Sequence, residues 1–302
     1  MRLFVSPIFL AIVCIFLGSV IDAVVKGVAA SVAVHTILAG RFFTGGAISL
    51  ALYVAIIRQK PSLRAIRFHA MRAAVQLGAA GLFFWSLTQL ALAEATVIGF
   101  TSALMIAPLG QLILGERMSR TSVIAALLGF AGAVFAVSAE TGGAPADGQR
   151  IAGSAAAFVA AALYALTLVL IRLRSREEAP LTIVMFSNVI PGLVLLPVLF
   201  TTGPDLTFEQ AAILFGLGCA GLSVWWMFSI AYSKAPAQRL APIEYTALIW
   251  SAVLGTIYFA EVPGWRLYLG AIVIIAACLL VSFEDHFATR RAARQPVGTL
   301  PD

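Results

Sequence analysis

Charge is scarce in this sequence. Asp, Glu, Lys and Arg make up 11% of its 302 residues, where a soluble domain carries about 25%. Hydrophobic residues reach 61%, with a mean hydropathy of +0.98, so the chain reads as an integral membrane protein. Cysteine and histidine are scarce too. Cys14, Cys219 and Cys278 are far apart inside apolar runs, which excludes a disulfide framework and leaves them as small packing residues. His35, His69 and His286 are not paired at ligand spacing, so no metal site is expected. No phosphate-binding glycine loop and no His-Glu-x-x-His run occurs, and the acids are scattered. An ATP-driven pump and an intramembrane hydrolase both lose their support, and no cofactor is called for.

What is present is a series of long apolar runs. Each crossing of a bilayer by a helix takes roughly 20 such residues. Ten runs qualify, over 5–26, 34–58, 68–91, 95–115, 121–139, 151–173, 180–201, 209–232, 240–259 and 264–283. They lack the alternation that a lipid-facing strand needs, so a β-barrel is rejected. The first run follows Arg2 but is too long for the apolar region of a cleaved signal.

Basic residues fall in alternate loops. With a cytoplasmic amino terminus, 16 of the 20 Lys and Arg lie on the inner side, including Arg58, Arg64, Arg67, Arg72, Arg172, Arg174, Arg290 and Arg291. Lys26, Arg150 and Arg266 lie outside and Arg41 within a span. The positive-inside rule then puts both termini in the cytoplasm. The net charge of +6 is thus spent on loops and does not point to nucleic acid.

The chain also repeats itself. "GAAGLFFW" (78–85) returns as "GCAGLSVW" (218–225), an offset of 140 that aligns Gly78, Gly81 and Trp85 with Gly218, Gly221 and Trp225. Thr36, Ile37, Gly46 and Leu50 match Thr182, Ile183, Gly192 and Leu196 at an offset of 146. "IGFTSALMIAPLGQLILGE" (98–116) matches "IEYTALIWSAVLGTIYFAE" (243–261) at 145. Five spans per half is an odd number, so the second half enters the membrane inverted. The expected fold is all-α, with ten transmembrane helices as two inverted five-helix repeats. The first repeat is expected over 1–145 and the second over 146–285, followed by a polar, disordered cytoplasmic tail at 286–302. Inverted halves are the mark of carriers that expose a central site to each side in turn.

In this order and pairing, "LGERMS", "FAEVPGW", "AGRFFTGGAISL" and "APIEYTALIWSAVLG" resemble the drug/metabolite transporter superfamily, and within it the EamA family, over nearly the whole chain. The resemblance implies a transporter of the inner (plasma) membrane that exports amino acids or related metabolites, as its YddG-like members do. Substrate does not carry over safely within the family. Uptake, another metabolite or drug, and a channel stay open as alternatives.

Candidate site residues are the polar and aromatic ones in mid-span. Gly78, Gly81, Trp85 and Gln89 share one helix face, repeated as Gly218, Gly221, Trp225 and Ser229. They read either as a cavity wall or as small-residue helix packing with Trp at the interface. Thr101 and Met105 pair with Thr246 and Trp250 as a second wall, and Tyr164 and Asn188 stand alone. For Asn188, substrate contact and an interhelical hydrogen bond weigh equally, and Pro191 should free a backbone carbonyl beside it. Charges within spans are costly, so Asp22 and Arg41, at matched depth, are expected to form an ion pair, the alternative being a coupling or amine-binding role for Asp22. Glu244 is placed at the cytoplasmic mouth, and Glu116 and Glu261 are read as anchors beside Arg117 and Arg266. The expected partners are the lipid bilayer and a small-molecule substrate, and the chain is compatible with a monomer.

Overall fold

A computed structural model of the chain describes residues 6–58, 61–115, 120–137, 148–175, 177–202, 205–235 and 240–261, with parts of 265–277. Every regular element among them is a helix. In chain order these are α1 (Pro7–Val28), α2 (Val34–Ile56), α3 (Leu63–Leu87), α4 (Leu92–Gly99), α5 (Thr101–Leu114), α6 (Arg120–Val137), α7 (Gly148–Arg174), α8 (Pro180–Val194), α9 (Leu196–Thr202), α10 (Phe208–Lys234), a 3₁₀ turn (Ala241–Thr246) and α11 (Ala247–Phe259).

Local chemistry sets the ends. Pro7 and Pro180 open α1 and α8, where the missing N–H costs nothing. The Ser62 side chain accepts from Ala65 N at the start of α3, and Thr207 with Gln210 forms a capping box on α10. α3 therefore begins five residues before the expected span. Arg72, counted above as a cytoplasmic loop charge, is a fully buried residue of this helix.

Among the described residues, five helices (α1, α2, α3, α7 and α10) are long and apolar enough to cross a membrane, and the pair α8 and α9, bent by 50°, makes a sixth. Three expected spans are interrupted. The fourth is divided at Phe100 into α4 and α5, the seventh bends at Leu195 a turn after Pro191, and the ninth starts as a 3₁₀ turn. The last span and the tail 286–302 lie outside the described residues for the most part.

The halves meet through α2 and α8. A Cβ on Gly46 would lie 3.2 Å from Asn188 O, and one on Gly192 would lie 2.9 Å from Phe42 O. At the offset of 146, Gly46 corresponds to Gly192 and Phe42 to Asn188, so these are the same contact made twice. Later residues of one helix face earlier residues of the other, which makes the two antiparallel. A self-complementary contact of this kind is the signature of a two-fold relation, and the axis passes between α2 and α8 at right angles to them. The interruptions obey the same relation. Phe100 corresponds at an offset of 145 to Tyr245, and the two rings pack edge to face with centroids 5.1 Å apart. Gly115 and Ala260, also 145 apart, end α5 and α11 in the left-handed conformation, with φ of 67° and 54°.

Candidate functional site

A cavity of about 200 Å³ lies where α1, α3, the α4–α5 junction, α7, α10 and the 3₁₀ turn converge. Its wall straddles the two-fold axis. Cys14, Ile15, Gly18 and Ile21 of α1 line it, and so do their counterparts at an offset of 146, Ala160, Ala161, Tyr164 and Thr167 of α7. Gly99 and Ser102 line it with their counterparts at 145, Glu244 and Ala247. Interrupted helices in corresponding positions of two halves are where transporter sites are built.

The scaffold is symmetric but the chemistry is not. Where the first half has Gly18 and Gly99, the second has Tyr164 and Glu244, and the Tyr164 hydroxyl lies 3.4 Å from each carboxylate oxygen of Glu244. A Cβ on Gly18 would meet nothing within 4 Å, so the glycine leaves cavity space where its counterpart projects a phenol. The first half supplies Asp22 and Arg41, whose counterparts are Leu168 and Ser187. Phe83, Phe84, Phe100, Trp225 and Phe228 complete a largely aromatic wall.

Asp22 and Arg41 both face the cavity, but no hydrogen bond or ion pair joins them. The Arg41 guanidinium lies over the Phe42 and Phe84 rings, 5.1 and 5.3 Å from their centroids, and its buried Nε has no acceptor. Of the other residues singled out in the sequence, Tyr164 and Trp225 line the cavity. Trp85 is 39% exposed on the outside of α3, and Gln89, beyond its end, donates to the Thr88 hydroxyl. Asn188 is buried between α2 and α8, with Nδ2 bonded to Val184 O and Oδ1 seated against Gly45. Thr101 and Thr246 bond to carbonyls of their own turns, Ile98 O and Ile243 O. Met105 and Trp250 pack on the main core, Trp250 edge-on to Phe16, and Ser229 is buried without a hydrogen-bond partner among the described residues. Glu244, assigned from sequence to the cytoplasmic mouth, is 9% exposed and faces the cavity, because the 3₁₀ turn that carries it folds inward. Its sequence signal was the pairing with Gly99.

A buried polar chain runs from the cavity toward one end of the bundle, and a half-buried ion pair stands at the other. Pro191 cannot bond Ser187 O, and Gln76, a cavity residue, donates to that carbonyl at 3.1 Å. Arg72 links Gln76 to Ile183 O, Ser187 Oγ and His69 Nδ1, and His69 Nε2 reaches Glu178 at 2.6 Å. At the other end Lys26 bonds Glu261 at 2.7 Å and Leu90 O at 3.0 Å, while Glu261 also accepts from Leu92 N. The anchor of Glu261 is therefore Lys26, and Arg266 lies over Trp265 instead. Glu116 and Arg117 lie outside the described residues. No cluster of His, Cys, Asp and Glu able to hold a metal occurs among those described.

A two-fold helical scaffold around a cavity of mixed charge is the architecture of a small-molecule transporter. The chain belongs to the EamA-like transporter family, which matches it at residues 5–138 and again at 151–283. It is 28% identical over 234 residues to a riboflavin transporter of Brucella anthropi, covering 74% of this chain and 79% of the relative. It is 25% identical over 214 residues to an S-adenosylmethionine uptake transporter of Rickettsia felis, covering 70% of each. With a pseudopaline exporter, CntI, of Pseudomonas aeruginosa it shares 24% over 285 residues, covering 92% and 96%. A solved crystal structure shares the fold with a TM-score of 0.73 at 18% identity, covering 91% of this chain and 98% of its own.

Proposed function

We propose that this chain is a secondary carrier of the inner membrane that exports amino acids or related small zwitterionic metabolites by alternating access, with both termini in the cytoplasm. One observation carries the reading: a cavity astride the two-fold axis holds acids (Asp22, Glu244), a base (Arg41) and aromatic rings together. A zwitterion with an apolar part needs all three. At about 200 Å³ the cavity is below the roughly 300–1,000 Å³ typical of drug-sized pockets, which favours a small metabolite. The two halves, 1–145 and 146–285, would exchange conformations to open it to either side. Asp22, Arg41, Tyr164, Trp225 and Glu244 form the proposed contact set. Thr101, Met105, Thr246 and Trp250 would support it from behind, and Trp85, Gln89, Asn188 and Ser229 would act through packing.

The relatives' names span riboflavin, S-adenosylmethionine uptake and pseudopaline export, so both compound and direction need measurement. The purified protein in liposomes should give saturable counterflow with members of an amino-acid and metabolite panel, tested in both directions. Unitary currents large enough to resolve would identify a channel. An absence of counterflow across the panel would overturn the substrate class.

A further inference from the structure

We infer that Arg41 is the docking group for a carboxylate of the substrate, held in place by the notch that Gly221 leaves in α10. The inference rests on the carrier reading above and deepens it. Arg41 is 7% exposed, faces the cavity, and makes no hydrogen bond or ion pair with the described residues. A guanidinium whose buried Nε has no acceptor is costly, because the hydration lost there is not replaced. Such a group is tolerated where an arriving anion completes it. Its planar fork of donors suits a carboxylate, which it can bind through two parallel hydrogen bonds.

The surroundings hold the fork without a hydrogen-bonded counter-ion among the described residues, the Asp22 charge acting on it only from across the cavity. Two phenyl rings, Phe42 and Phe84, lie beneath the guanidinium at cation–π distance. On the α10 side a Cβ at Gly221 would lie 2.7 Å from Nε and 3.0 Å from Nη2, so only glycine leaves this seat free. One turn away, a Cβ at Gly218 would lie 2.9 Å from Arg41 O, so the same helix face also fixes the backbone that carries Arg41. Trp225, a turn beyond Gly221, lines the cavity and offers an aromatic surface to the substrate's side chain. Asp22 and Glu244 face the same space without touching the guanidinium, and are left to receive an ammonium.

The test uses competition in the liposome counterflow assay, with a free amino acid, its methyl ester and its decarboxylated amine as unlabelled competitors. The free acid should compete at least about 10-fold better than either analogue, as befits charge-assisted hydrogen bonds. Arg41→Gln should erase that preference by weakening the acid alone. Gly221→Ala should weaken the acid in the same way with an unchanged melting temperature, because the atoms it displaces are the mobile end of a long side chain. Melting temperatures of the ligand-free proteins separate docking from structure. An anion site predicts that Arg41→Gln melts no lower than wild type. A lower value, together with equal competition by acid and ester in wild type, would overturn the inference. If no compound shows counterflow, the carrier reading fails first. Stabilisation of the detergent-solubilised protein by the acid over its ester, lost in Arg41→Gln, would still support the docking role, and equal stabilisation or none would sink it.

Discussion

The antiparallel contact of α2 with α8 can be tested by adding one carbon at a time. In Gly192→Ala the new Cβ would stand 2.9 Å from Phe42 O, 3.2 Å from Phe42 C and 3.3 Å from Phe43 Cα. In Gly46→Ala it would stand 3.2 Å from both Asn188 O and Val189 Cα. The obstructing atoms are backbone, so no rotamer change relieves the clash and the two helices must separate. Overpacking of this kind costs roughly 1–3 kcal/mol per substitution. The double variant should cost less than the sum of the singles, by about 0.5 kcal/mol or more, since the first separation makes room for the second methyl. Equilibrium unfolding in detergent micelles, with size-exclusion profiles as a control, gives all three values. Strict additivity, or single substitutions without cost, would refute a backbone-to-backbone contact on a two-fold axis.

Three further outcomes follow from individual residues. Glu261→Gln removes the partner of Lys26 and weakens the acceptor of Leu92 N, and should destabilise by about 1 kcal/mol, with part of the loss recovered by adding Lys26→Met in the same micelles. Ala260 holds a left-handed φ of 54° that disfavours any Cβ, so Ala260→Gly should stabilise by about 1 kcal/mol in the same assay, and a loss would mean that the end of α11 is unstrained. Glu178 lies in the connection between α7 and α8; burial pushes its carboxyl up, but the hydrogen bond from His69 and the charges of His69, Arg174 and Arg72 outweigh burial and hold it below the usual range. Its contribution is therefore complete above the ordinary carboxylate value of about 4.3 and fades as pH falls through the lowered one; Glu178→Gln should melt lower at neutral pH and show a flatter acid limb.

The duplication was legible because the chain has only five tryptophans, and two glycines at fixed spacing from one of them recur with the same spacing from another. Equal letters did not mean equal surroundings, however. Trp225 is 7% exposed and faces the cavity, whereas its copy Trp85 is 39% exposed. Hydropathy found the long helices but could not find the interruptions, since Phe100 and Pro242 sit in windows as apolar as their neighbours. The ninth span begins where expected, but as a 3₁₀ turn, and missing that turn left Glu244 assigned to the mouth instead of the cavity. The charged amino-terminal end of α3 hid only its first five residues, 63–67, but Arg72, inside the expected span, was counted with the loop charges because its partners Ile183 O and Ser187 lie more than a hundred residues away. Mid-span polarity marked Asp22, Arg41 and Tyr164, which line the cavity, but equally Gln89, Thr101, Asn188, Ser229 and Thr246, which do not.

Lys26 and Arg172 are counterparts at the offset of 146, and they stand at opposite ends of the bundle. Each reaches a carbonyl near the end of a neighbouring helix, Leu90 O for Lys26 and Tyr232 O for Arg172. A carrier with identical halves would rest with equal probability facing either compartment, whatever it transports. If the halves alternate as proposed, inequality between these two cation clasps would set the resting ratio, every 1.4 kcal/mol of difference moving it about tenfold. Exchanging lysine for arginine at either end would turn that dial without touching a single atom of the cavity.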